Sequence, residues 1–498
     1  MSQDMPKQDG KTSLHTKMPS QYINRRQFLS FGLGTVATLA LGRSLLARRQ
    51  LAVSTATNPY SATQPLAISD VQQSSTTQLE AQLTPHTFHP DFAATQLWSF
   101  AQGISPVLRF QQGEEASIAV RNRLQEMLTV HWHGLRVPHP MDGVGGLTQA
   151  PIEPEGSFVY TFDTLDVGTY WYHTHSNSQE QLSRGLAGAF IVDEAVPPDV
   201  DHDVIVLLQD WRLDRQHQIQ DDFYNPHDLS HEGRLGNVVT VNGQVEPRQS
   251  YRPHSRLRLR FINASSARMY RPRLPAEWSA WTLALDGQPV AIEPYTPPIL
   301  GPGMRADVIA DIPTTGTYGI VDTAYDTQLL MEIVAEGALR RERTSAPEPL
   351  VANPIALPET DQGKLELRLE GGAMSGMMGG RRGVWQLNDT SMSEVASNTT
   401  PMFTLHQGRS YHMTVTNNTA FIHPMHLHGH SFQILNLAQL VAGNHTSSQA
   451  RLSDTVLLFP QERAEIAFVA DNPGDWLLHC HVLGHQAAGM MGVIRVVA

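Results

Sequence analysis

Cysteine is almost absent from this sequence: Cys480 is the only one in 498 residues. A single cysteine excludes an internal disulfide, and a chain of this length can bury enough core without one. The formal net charge of −12 argues against nucleic acid or an anionic membrane surface as the main partner. Beyond residue 42 no apolar run is long enough to span a bilayer, so stable membrane insertion is not expected.

The N-terminus has the pattern of an export signal. Asn24-Arg25-Arg26 opens a twin-arginine signature, and the apolar run at residues 29–42 is too short to span a bilayer comfortably. We predict a twin-arginine signal peptide over residues 1–55 and a linker over residues 56–84. This signal implies export of the folded protein to the periplasm or cell envelope. A membrane-anchoring helix is the alternative for the apolar run.

Short runs of β-forming residues, separated by glycine, proline and asparagine, follow the linker, and helical periods are scarce. Such spacing is typical of β-sandwiches and barrels. The clearest predicted strands are residues 117–120, 158–162, 204–208, 256–261, 281–285 and 464–469. An all-β protein is therefore expected.

Internal repeats predict the number of domains. The run Gly-Thr-Tyr-Trp-Tyr-His-Thr-His that ends at His175 matches Gly-Asp-Trp-Leu-Leu-His-Cys-His, which ends at His481. A third copy ends at Thr323 and has neither histidine. A second element also repeats. An asparagine stands nine residues before His131, before Pro272 and before His426, at Asn122, Asn263 and Asn417. We predict three homologous β-domains, at residues 85–195, 196–340 and 355–498, with a proline-rich linker at residues 345–358.

Ten of the 23 histidines fall in four tight clusters. Because residues i and i+2 of a strand project from the same face, each His-X-His pair presents two imidazoles together. Two pairs lie in each outer domain: His131 and His133, His173 and His175, His426 and His428, His479 and His481. Eight imidazoles from two related domains can hold three metal ions between them, and the middle domain would act as a spacer. Structural histidines or a zinc site are the alternatives.

The last domain alone carries a second set of ligands. The set comprises His423, Cys480, His485 and Met490. Two imidazoles, a thiolate and a weak thioether are typical of a blue-copper centre. At matching offsets the first domain has Leu128, Thr174 and Gln179. Met491 follows Met490 directly, so either thioether could instead serve packing.

These motifs resemble the four signature motifs of the multicopper oxidases, the family of laccases, cuprous oxidases and spore-coat oxidases. They are His-Trp-His-Gly from His131, His-Thr-His from His173, His-Pro-Met-His-Leu-His-Gly from His423, and the run from His479 to Met490. The resemblance implies three consecutive cupredoxin-like Greek-key β-sandwich domains. It also implies four copper ions, one of type 1, one of type 2 and two of type 3.

The resemblance further assigns the ligands. It implies that His131 and His426 hold the type 2 ion. The type 1 ion would be bound by His423, Cys480 and His485, with Met490 axial. The type 3 pair would be bound by His133, His173, His175, His428, His479 and His481.

Oxygen reduction to water consumes protons, so an acid is expected near the cluster. Asp142 resembles the family's proton-relay carboxylate, although a turn residue in an Asp-Gly pair is the alternative. Some bacterial members have a glutamate after the second type 1 histidine, where this chain has Gln486, which leaves a second proton route unassigned. Asp454 is either an outer partner of a ligand or an ordinary loop residue.

Met374, Met377 and Met378 lie in a glycine-rich segment, and soft sulfur ligands select Cu(I). A flexible loop without a metal role is the alternative. Copper-efflux oxidases of the family also place an aspartate and a methionine just before the first type 1 histidine. Here residues 419–422 contain neither, which weakens the case for a dedicated cuprous oxidase.

The predicted function is that of a laccase-like, copper-dependent oxidoreductase. Phenols, aromatic amines or low-valent metal ions such as Cu(I) would give single electrons to type 1 copper at the exposed edge of His485 or His423. Cys480 would pass them to the trinuclear site, where O2 becomes water. A non-catalytic scaffold or copper sequestrant should have lost ligands, and a copper nitrite reductase lacks the trinuclear set. The oligomeric state is not indicated, with a monomer favoured.

Overall fold

The computed structural model describes residues 76–101, 103–359, 363–373, 384–392, 399–439 and 451–498. The predicted signal peptide, most of the predicted linker and the segment with Met374, Met377 and Met378 lie outside the described residues. Within the described ranges, no helix has both the length and the apolar character needed to cross a membrane.

Strands make up almost all of the regular secondary structure of the described chain, which confirms the predicted all-β class. In the described ranges the strands form six sheets, which pair into three consecutive sandwiches. The first sandwich combines sheets of order β2-β1-β4-β6 and β3-β8-β7-β5. Its strands are β1 (Thr77–His86), β2 (Thr95–Ser99), β3 (Val107–Gln111), β4 (Glu115–Asn122), β5 (Val130–His133), β6 (Ser157–Asp163), β7 (Gly168–Thr174) and β8 (Ala187–Asp193). Because β1 begins at Thr77, the prediction that the linker extends to residue 84 was wrong.

The second sandwich combines sheets of order β10-β9-β12-β16-β14-β15 and β11-β18-β17-β13. Its strands are β9 (His202–Trp211), β10 (Val238–Val241), β11 (Arg248–Tyr251), β12 (Arg256–Asn263), β13 (Pro272–Arg273), β14 (Ser279–Leu285), β15 (Gln288–Pro294), β16 (Arg305–Asp311), β17 (Gly316–Asp322) and β18 (Gln328–Ala335). The first sandwich also contains a short 3₁₀ turn, His139–Met141, and helix α1 (Ser178–Ser183), and the second contains helix α2 (Pro226–Ser230).

The third sandwich combines sheets of order β20-β19-β22-β27-β24-β25 and β21-β29-β28-β23-β26. Its strands are β19 (Gly363–Gly371), β20 (Trp385–Leu387), β21 (Phe403–His406), β22 (Ser410–Asn417), β23 (His423–Leu427), β24 (Phe432–Gln439), β25 (Arg451–Ser453), β26 (Thr455–Leu458), β27 (Glu462–Val469), β28 (Gly474–Cys480) and β29 (Met491–Val497). Helix α3 (Leu483–Ala487) connects the last two strands.

The three sandwiches share one strand topology. In each, an early strand pairs in parallel with a later strand of the first sheet, as β1 with β4, β9 with β12 and β19 with β22. The second sheets repeat the pattern with β3 and β8, β11 and β18, and β21 and β29. The proline-rich segment before the third sandwich has no regular structure from residue 346 to residue 359.

The repeated asparagines have the same structural role in all three sandwiches. Each is fully buried, and its side-chain amide donates to the carbonyl of a residue four or five positions later, at 2.7 Å for Asn122 and 2.8 Å for Asn263 and Asn417. Each side-chain oxygen also accepts from the amide two residues on, at 3.0 Å. These hydrogen bonds fix the turn that precedes β5, β13 and β23 in the three sandwiches. A buried turn must satisfy its backbone hydrogen-bonding groups within the protein.

The first two sandwiches meet across a network of buried charges. Strand β12 is buried on both faces, and alternation places its leucines in the core while Arg258 and Arg260 face the other way. Arg260 binds Asp203 at 2.7 and 2.9 Å and donates to Thr169 Oγ1 of the first sandwich at 2.9 Å. Arg109 of the first sandwich shares Asp203 at 2.7 Å. Buried charges of this kind are tolerated because they are paired and hydrogen-bonded.

Candidate metal centres

Neighbouring strands place the histidines of each outer sandwich side by side. In the first sandwich β5 pairs with β7, and His131 lies opposite His173. In the third sandwich β23 pairs with β28, and His426 lies opposite His479. The same register thus repeats in the two sandwiches, and it explains why motifs far apart in sequence converge at one place.

Three side chains of the third sandwich form a compact donor group. The Sγ atom of Cys480 lies 3.5 Å from Nδ1 of His423 and 3.6 Å from Nδ1 of His485, and the two nitrogens are 3.1 Å apart. All three residues are fully buried. One sulfur and two nitrogens so close together form a set that borderline and soft metal ions prefer.

Met490 and Met491 occupy different surroundings. Met490 is fully buried in the same apolar cluster as Cys480, and its carbonyl accepts from the Cys480 amide at 3.0 Å. Its own amide donates to the carbonyl of His485 at 2.9 Å. Met491 packs instead in a separate cluster with Leu477 and other apolar residues. Of the two methionines, Met490 is therefore the one that lies beside the donor group.

The outward nitrogens of the two imidazoles are held by residues that the sequence did not single out. His423 Nε2 donates to Thr419 Oγ1 at 2.7 Å. His485 Nε2 donates to the backbone carbonyl of His231, in the middle sandwich, at 2.5 Å. These bonds keep both Nδ1 atoms unprotonated and turned toward Cys480, as ligand imidazoles require.

Burial shapes the ionisation of this group. Burial raises the pKa of the Cys480 thiol well above its ordinary value, and it lowers the pKa of His485 to about 3. Burial, followed by the neighbouring His485, holds the pKa of His423 well below its ordinary value. The predicted exposed edge on His423 or His485 is wrong, because both rings are fully buried, with Trp385 packed against them at 5.1 and 4.2 Å between ring centroids.

The four His-X-His pairs converge in one buried cluster between the outer sandwiches. His131 Nε2 lies 3.4 Å from His426 Nε2, and His428 Nε2 lies 3.1 Å from His479 Nε2. His481 joins the cluster with its ring centroid 4.8 Å from that of His133. Burial is the main cause that lowers the pKa of seven of these imidazoles: His133, His173, His175, His426, His428, His479 and His481.

Most of these imidazoles donate one ring nitrogen outward to an oxygen. The pairs are His131 Nδ1 to Asp142 O (2.8 Å), His426 Nδ1 to Asp454 O (2.8 Å), His173 Nδ1 to Thr174 O (2.9 Å), His479 Nδ1 to Cys480 O (2.9 Å) and His428 Nδ1 to Asp142 Oδ2 (2.9 Å). His133 is reversed and uses Nε2, which lies 3.1 Å from Asp454 Oδ1. Such outer hydrogen bonds fix the tautomer of histidines that bind metals.

The inward nitrogens are the ones without hydrogen bonds. Among the described residues, buried ring nitrogens with no hydrogen-bond partner include His133 Nδ1, His173 Nε2, His175 Nε2 and both nitrogens of His481. Buried polar atoms in folded proteins are nearly always paired, so several convergent unpaired lone pairs need an explanation. Copper ions fit this donor set, since imidazole is one of their preferred ligands.

Asp142 and Asp454 stand in equivalent positions on the two sides of the cluster. Each holds a histidine of its own sandwich through its backbone carbonyl and one of the opposite sandwich through its carboxylate: Asp142 holds His131 and His428, and Asp454 holds His426 and His133. Of the two interpretations of Asp454, that of an outer partner is the one that these contacts favour.

The two carboxylates differ in charge compensation. Asp454 forms a bidentate ion pair with Arg305 at 2.9 and 2.6 Å. Burial opposes its charged form, but Arg305 and the two bonded imidazoles outweigh burial and hold its pKa well below the ordinary value. Asp142 is fully buried, its Oδ1 has no hydrogen bond, and in the described chain the only basic side chains within ion-pair distance of its carboxylate are the imidazoles of His131 and His428.

Arg305 belongs to the middle sandwich, so this domain is more than the predicted spacer. Gly303, from the loop before β16, approaches the cluster even more closely. Its φ is +87°, and a Cβ atom there would lie 2.8 Å from His133 Cε1 and 3.0 Å from His481 Cδ2. The middle sandwich therefore covers one side of the histidine cluster without contributing an imidazole to it.

Gln486 is buried in α3, and its side-chain oxygen has no hydrogen bond in the described part of the chain. Gln179, which replaces His485 at the matching offset in the first sandwich, is also buried, and neither of its polar side-chain atoms is paired. Neither glutamine ionises, and the side-chain oxygens of both have no hydrogen-bond partner among the described residues.

The middle and third sandwiches supply contacts that sequence reasoning missed. Thr419 could have been found, because it precedes His423 by four residues and follows the repeated Asn417. No motif marked His231, Gly303 or Arg305, since the middle domain has no ligand histidines and their proximity arises from domain packing.

Comparison with known proteins agrees with this architecture. Multicopper oxidase family models match residues 83–196 and residues 374–498. "Multicopper oxidase MmcO" of Mycobacterium tuberculosis is 28% identical over 458 residues, 82% of this chain and 85% of that protein. The crystal structure of a multi-copper oxidase from Pseudomonas thermotolerans is 31% identical with a TM-score of 0.77, over 85% of this chain and 99% of that one. That of Lac15 from a marine microbial metagenome is 34% identical with a TM-score of 0.69, over 85% and 100%.

Proposed function

We infer the reaction from the family: the chain belongs to the multicopper oxidases, and it is a copper-dependent oxidase that uses O2. We propose that it couples one-electron oxidation of phenols, aromatic amines or low-valent metal ions, Cu(I) among them, to the four-electron reduction of O2 to water. The convergence of unpaired imidazole nitrogens beside a separate cysteine-containing donor group carries this proposal.

Four copper ions would fill the two donor groups. His423, Cys480 and His485, with Met490 beside them, would hold the type 1 ion. His131 and His426, whose Nε2 atoms are 3.4 Å apart, would hold the type 2 ion. The remaining six imidazoles of the cluster would hold the type 3 pair. When bound, copper accepts and stores single electrons and reduces O2 at the three-ion site.

Cys480 is the covalent link between the groups. Its Sγ belongs to the three-ligand group, while its chain neighbours His479 and His481 belong to the cluster. The His479 ring also donates to the carbonyl of Cys480 at 2.9 Å, which provides a second path. Electrons accepted at the cysteine side therefore need to cross only one residue to reach an imidazole of the cluster.

Asp142 is the residue we propose to deliver protons. It reaches both halves of the cluster, and its Oδ1, which has no hydrogen bond and lies 3.2 Å from His131 Nδ1, would carry the proton while Oδ2 keeps its bond to His428. Asp454 cannot share this role on equal terms, because Arg305 occupies both of its oxygens. In this proposal Asp454 orients His133 and His426, and Asp142 exchanges protons.

The proposal is tested by loading the purified chain with copper and measuring copper per chain, visible absorption and O2 uptake with a phenol and with Cu(I). About four coppers per chain, a blue band and O2 uptake with an electron donor are expected. Cys480→Ser should abolish the blue band and turnover while the fold persists. A colourless wild-type protein with little copper and no O2 uptake would contradict the proposal and favour a scaffold.

For localisation we propose export to the periplasm or cell envelope by the twin-arginine route. The support is the signature at Asn24-Arg25-Arg26, which lies outside the described residues. Replacing both arginines with lysine in the full chain should retain the protein in the cytoplasm, which fractionation of expressing cells would measure. Unchanged export would refute this route.

A further inference from the structure

A two-residue hairpin turn of the middle sandwich lies at the meeting point of all three sandwiches. The turn consists of Asp286 and Gly287 and connects β14 to β15. Both residues have positive φ, +48° and +75°, as a type I′ turn requires. A Cβ atom on Gly287 would lie 2.7 Å from the ring of Tyr170 in the first sandwich, and the side chain of Asp286 reaches Ser453 in the third. The turn therefore places a carboxyl group in the interior between the domains.

The carboxyl group of Asp286 is fully buried and contacts groups of two sandwiches. Its Oδ1 atom accepts from the backbone amide of Arg305 at 2.9 Å and lies 3.6 Å from Nη1 of the same arginine. Its Oδ2 atom lies 2.6 Å from Ser453 Oγ. Asp286 therefore joins the strand that begins with Arg305 to the residue directly before Asp454.

The hydroxyl of Ser453 has two close oxygen neighbours. Its Oγ atom lies 2.6 Å from Asp286 Oδ2 and 2.7 Å from the carbonyl oxygen of Thr455. A hydroxyl supplies a single hydrogen, and neither a carbonyl nor a carboxylate can donate. With Asp286 ionised, one of these two short contacts would join two oxygens with no hydrogen between them. With a proton on Oδ2, Asp286 donates to Ser453 and Ser453 donates to Thr455, so both contacts are hydrogen bonds.

Charge balance favours the same protonation state. Arg305 pairs with Asp454 through two hydrogen bonds and cannot fully neutralise a second carboxylate. Burial raises the pKa of Asp286 above its ordinary value, and the charge of Asp454 adds to this effect, whereas Arg305 and Arg451 oppose it. A neutral Asp286 leaves Arg305 and Asp454 as a balanced ion pair, and buried charges are tolerated when they are paired in this way.

Ser453 and Thr455 flank the aspartate that holds two histidines of the cluster. Asp454 Oδ1 lies 3.1 Å from His133 Nε2, and the Asp454 backbone carbonyl accepts from His426 Nδ1 at 2.8 Å. Thr455 Oγ1 donates to Asp454 Oδ1 at 2.8 Å. A hydrogen bond that fixes Ser453 therefore also restrains the orientation of Asp454 toward the cluster.

We propose that Asp286 is a positioning residue that keeps its proton at neutral pH and, through Ser453, holds Asp454 against His133 and His426. Asp286 acts on these two predicted copper ligands only through its neighbours. The effect on copper rests on the proposed function, whereas the buried proton does not depend on it.

Infrared difference spectroscopy of the copper-free protein tests for the proton. The spectrum of wild type minus Asp286→Asn at pH 7 should contain the C=O stretch of a protonated carboxyl group, and this band should shift in D2O. Ser453→Ala removes the acceptor of that proton and should change the frequency of the band. Asp203→Asn is the matched control, because Arg260 and other arginines outweigh burial and hold the pKa of Asp203 well below its ordinary value. Its difference spectrum should lack the band, and absence of the band from the Asp286→Asn difference would overturn the buried proton.

Copper retention tests the positioning role. In Asp286→Asn the amide can donate to Ser453 and accept from Arg305, so copper retained per chain after dialysis against a chelator should match the wild type. Asp286→Gly tolerates the positive φ but lacks the side chain, and it should weaken copper affinity by about 10–100-fold. Equal copper retention in Asp286→Asn and Asp286→Gly would overturn the positioning role. Absence of copper from the loaded wild type would instead overturn the proposed function, and the infrared result would still decide the buried proton.

Discussion

We expect Arg305 of the middle sandwich to contribute both to the stability of the protein and to copper binding by the histidine cluster. The side chain is fully buried and pairs with both oxygens of Asp454, and it donates to the carbonyls of Thr169 and Gly303 at 3.1 and 3.0 Å. Removing one partner of a buried ion pair costs about 3–5 kcal/mol, because the other charge stays buried without compensation. Arg305→Met should therefore lower Tm by on the order of 10 °C.

Arg305→Met should also weaken the affinity of the histidine cluster for copper. Asp454 without Arg305 is no longer fixed against His133 Nε2, and loss of such an outer partner typically weakens metal affinity by about 10–100-fold. The assays are thermal unfolding of the copper-free protein and copper retained per chain after dialysis against a chelator. Arg305→Met/Asp454→Asn should regain part of both losses, since the amide oxygen still accepts from His133 and no unpaired carboxylate remains at position 454.

Arg463→Met is the matched control for Arg305→Met. Arg463 pairs with Glu465 at 3.0 Å, but both side chains are 45% exposed. Exposed pairs contribute about 0–1 kcal/mol, so this control should unfold near the wild-type temperature. If Arg305→Met unfolded within a degree or two of the control and kept its copper, the coupling of the middle sandwich to the cluster would be refuted.

Three further predictions follow from single residues. Asp142→Asn should slow O2 reduction by about 10²–10⁴-fold with copper retained, and an unchanged steady-state rate would assign Asp142 a structural role only. Gly303→Ala should reduce copper per chain, since its Cβ would meet His133 and His481 at 3.0 Å or less, whereas Gly113→Ala, also at positive φ but in open space, should keep it. Burial opposes the charge of Asp203, but Arg260 and other arginines outweigh burial and hold its pKa well below the ordinary value. Its contribution to stability is therefore present above about pH 4 and is lost as pH falls further, so the Tm difference between wild type and Asp203→Asn should shrink from pH 7 to pH 3.

The sequence predicts the class of fold and the composition of the two donor groups for a physical reason. Ligands on strands must repeat every second residue, and a ligand set that serves two outer domains must appear twice, so His-X-His pairs and internal repeats are visible in the chain itself. The unique Cys480 between two such histidines carries the same kind of local information.

Contacts between sandwiches leave no comparable pattern in the amino-acid sequence. Arg305 is one of several arginines in β-strands of the middle sandwich, and nothing in its neighbourhood distinguishes it from Arg258 or Arg260, which pair elsewhere. The burial of His485 was missed for the same reason. Its cover consists of Trp385, which is distant in sequence within the same sandwich, and of the segment around His231, which reaches it only after the domains pack.

The packing of the middle sandwich also removes the symmetry that the repeats would otherwise impose on the cluster. Asp142 and Asp454 hold the histidines in the same way, so two identical halves would offer two equal carboxylates for proton exchange. Arg305 neutralises one of them, whereas the other has no arginine or lysine within ion-pair distance among the described residues. A carboxylate locked in a bidentate ion pair is a poor proton carrier, because protonation would cost the pair. In the proposed mechanism the middle sandwich therefore favours the side of Asp142 for proton delivery, although its described residues would supply no copper ligand.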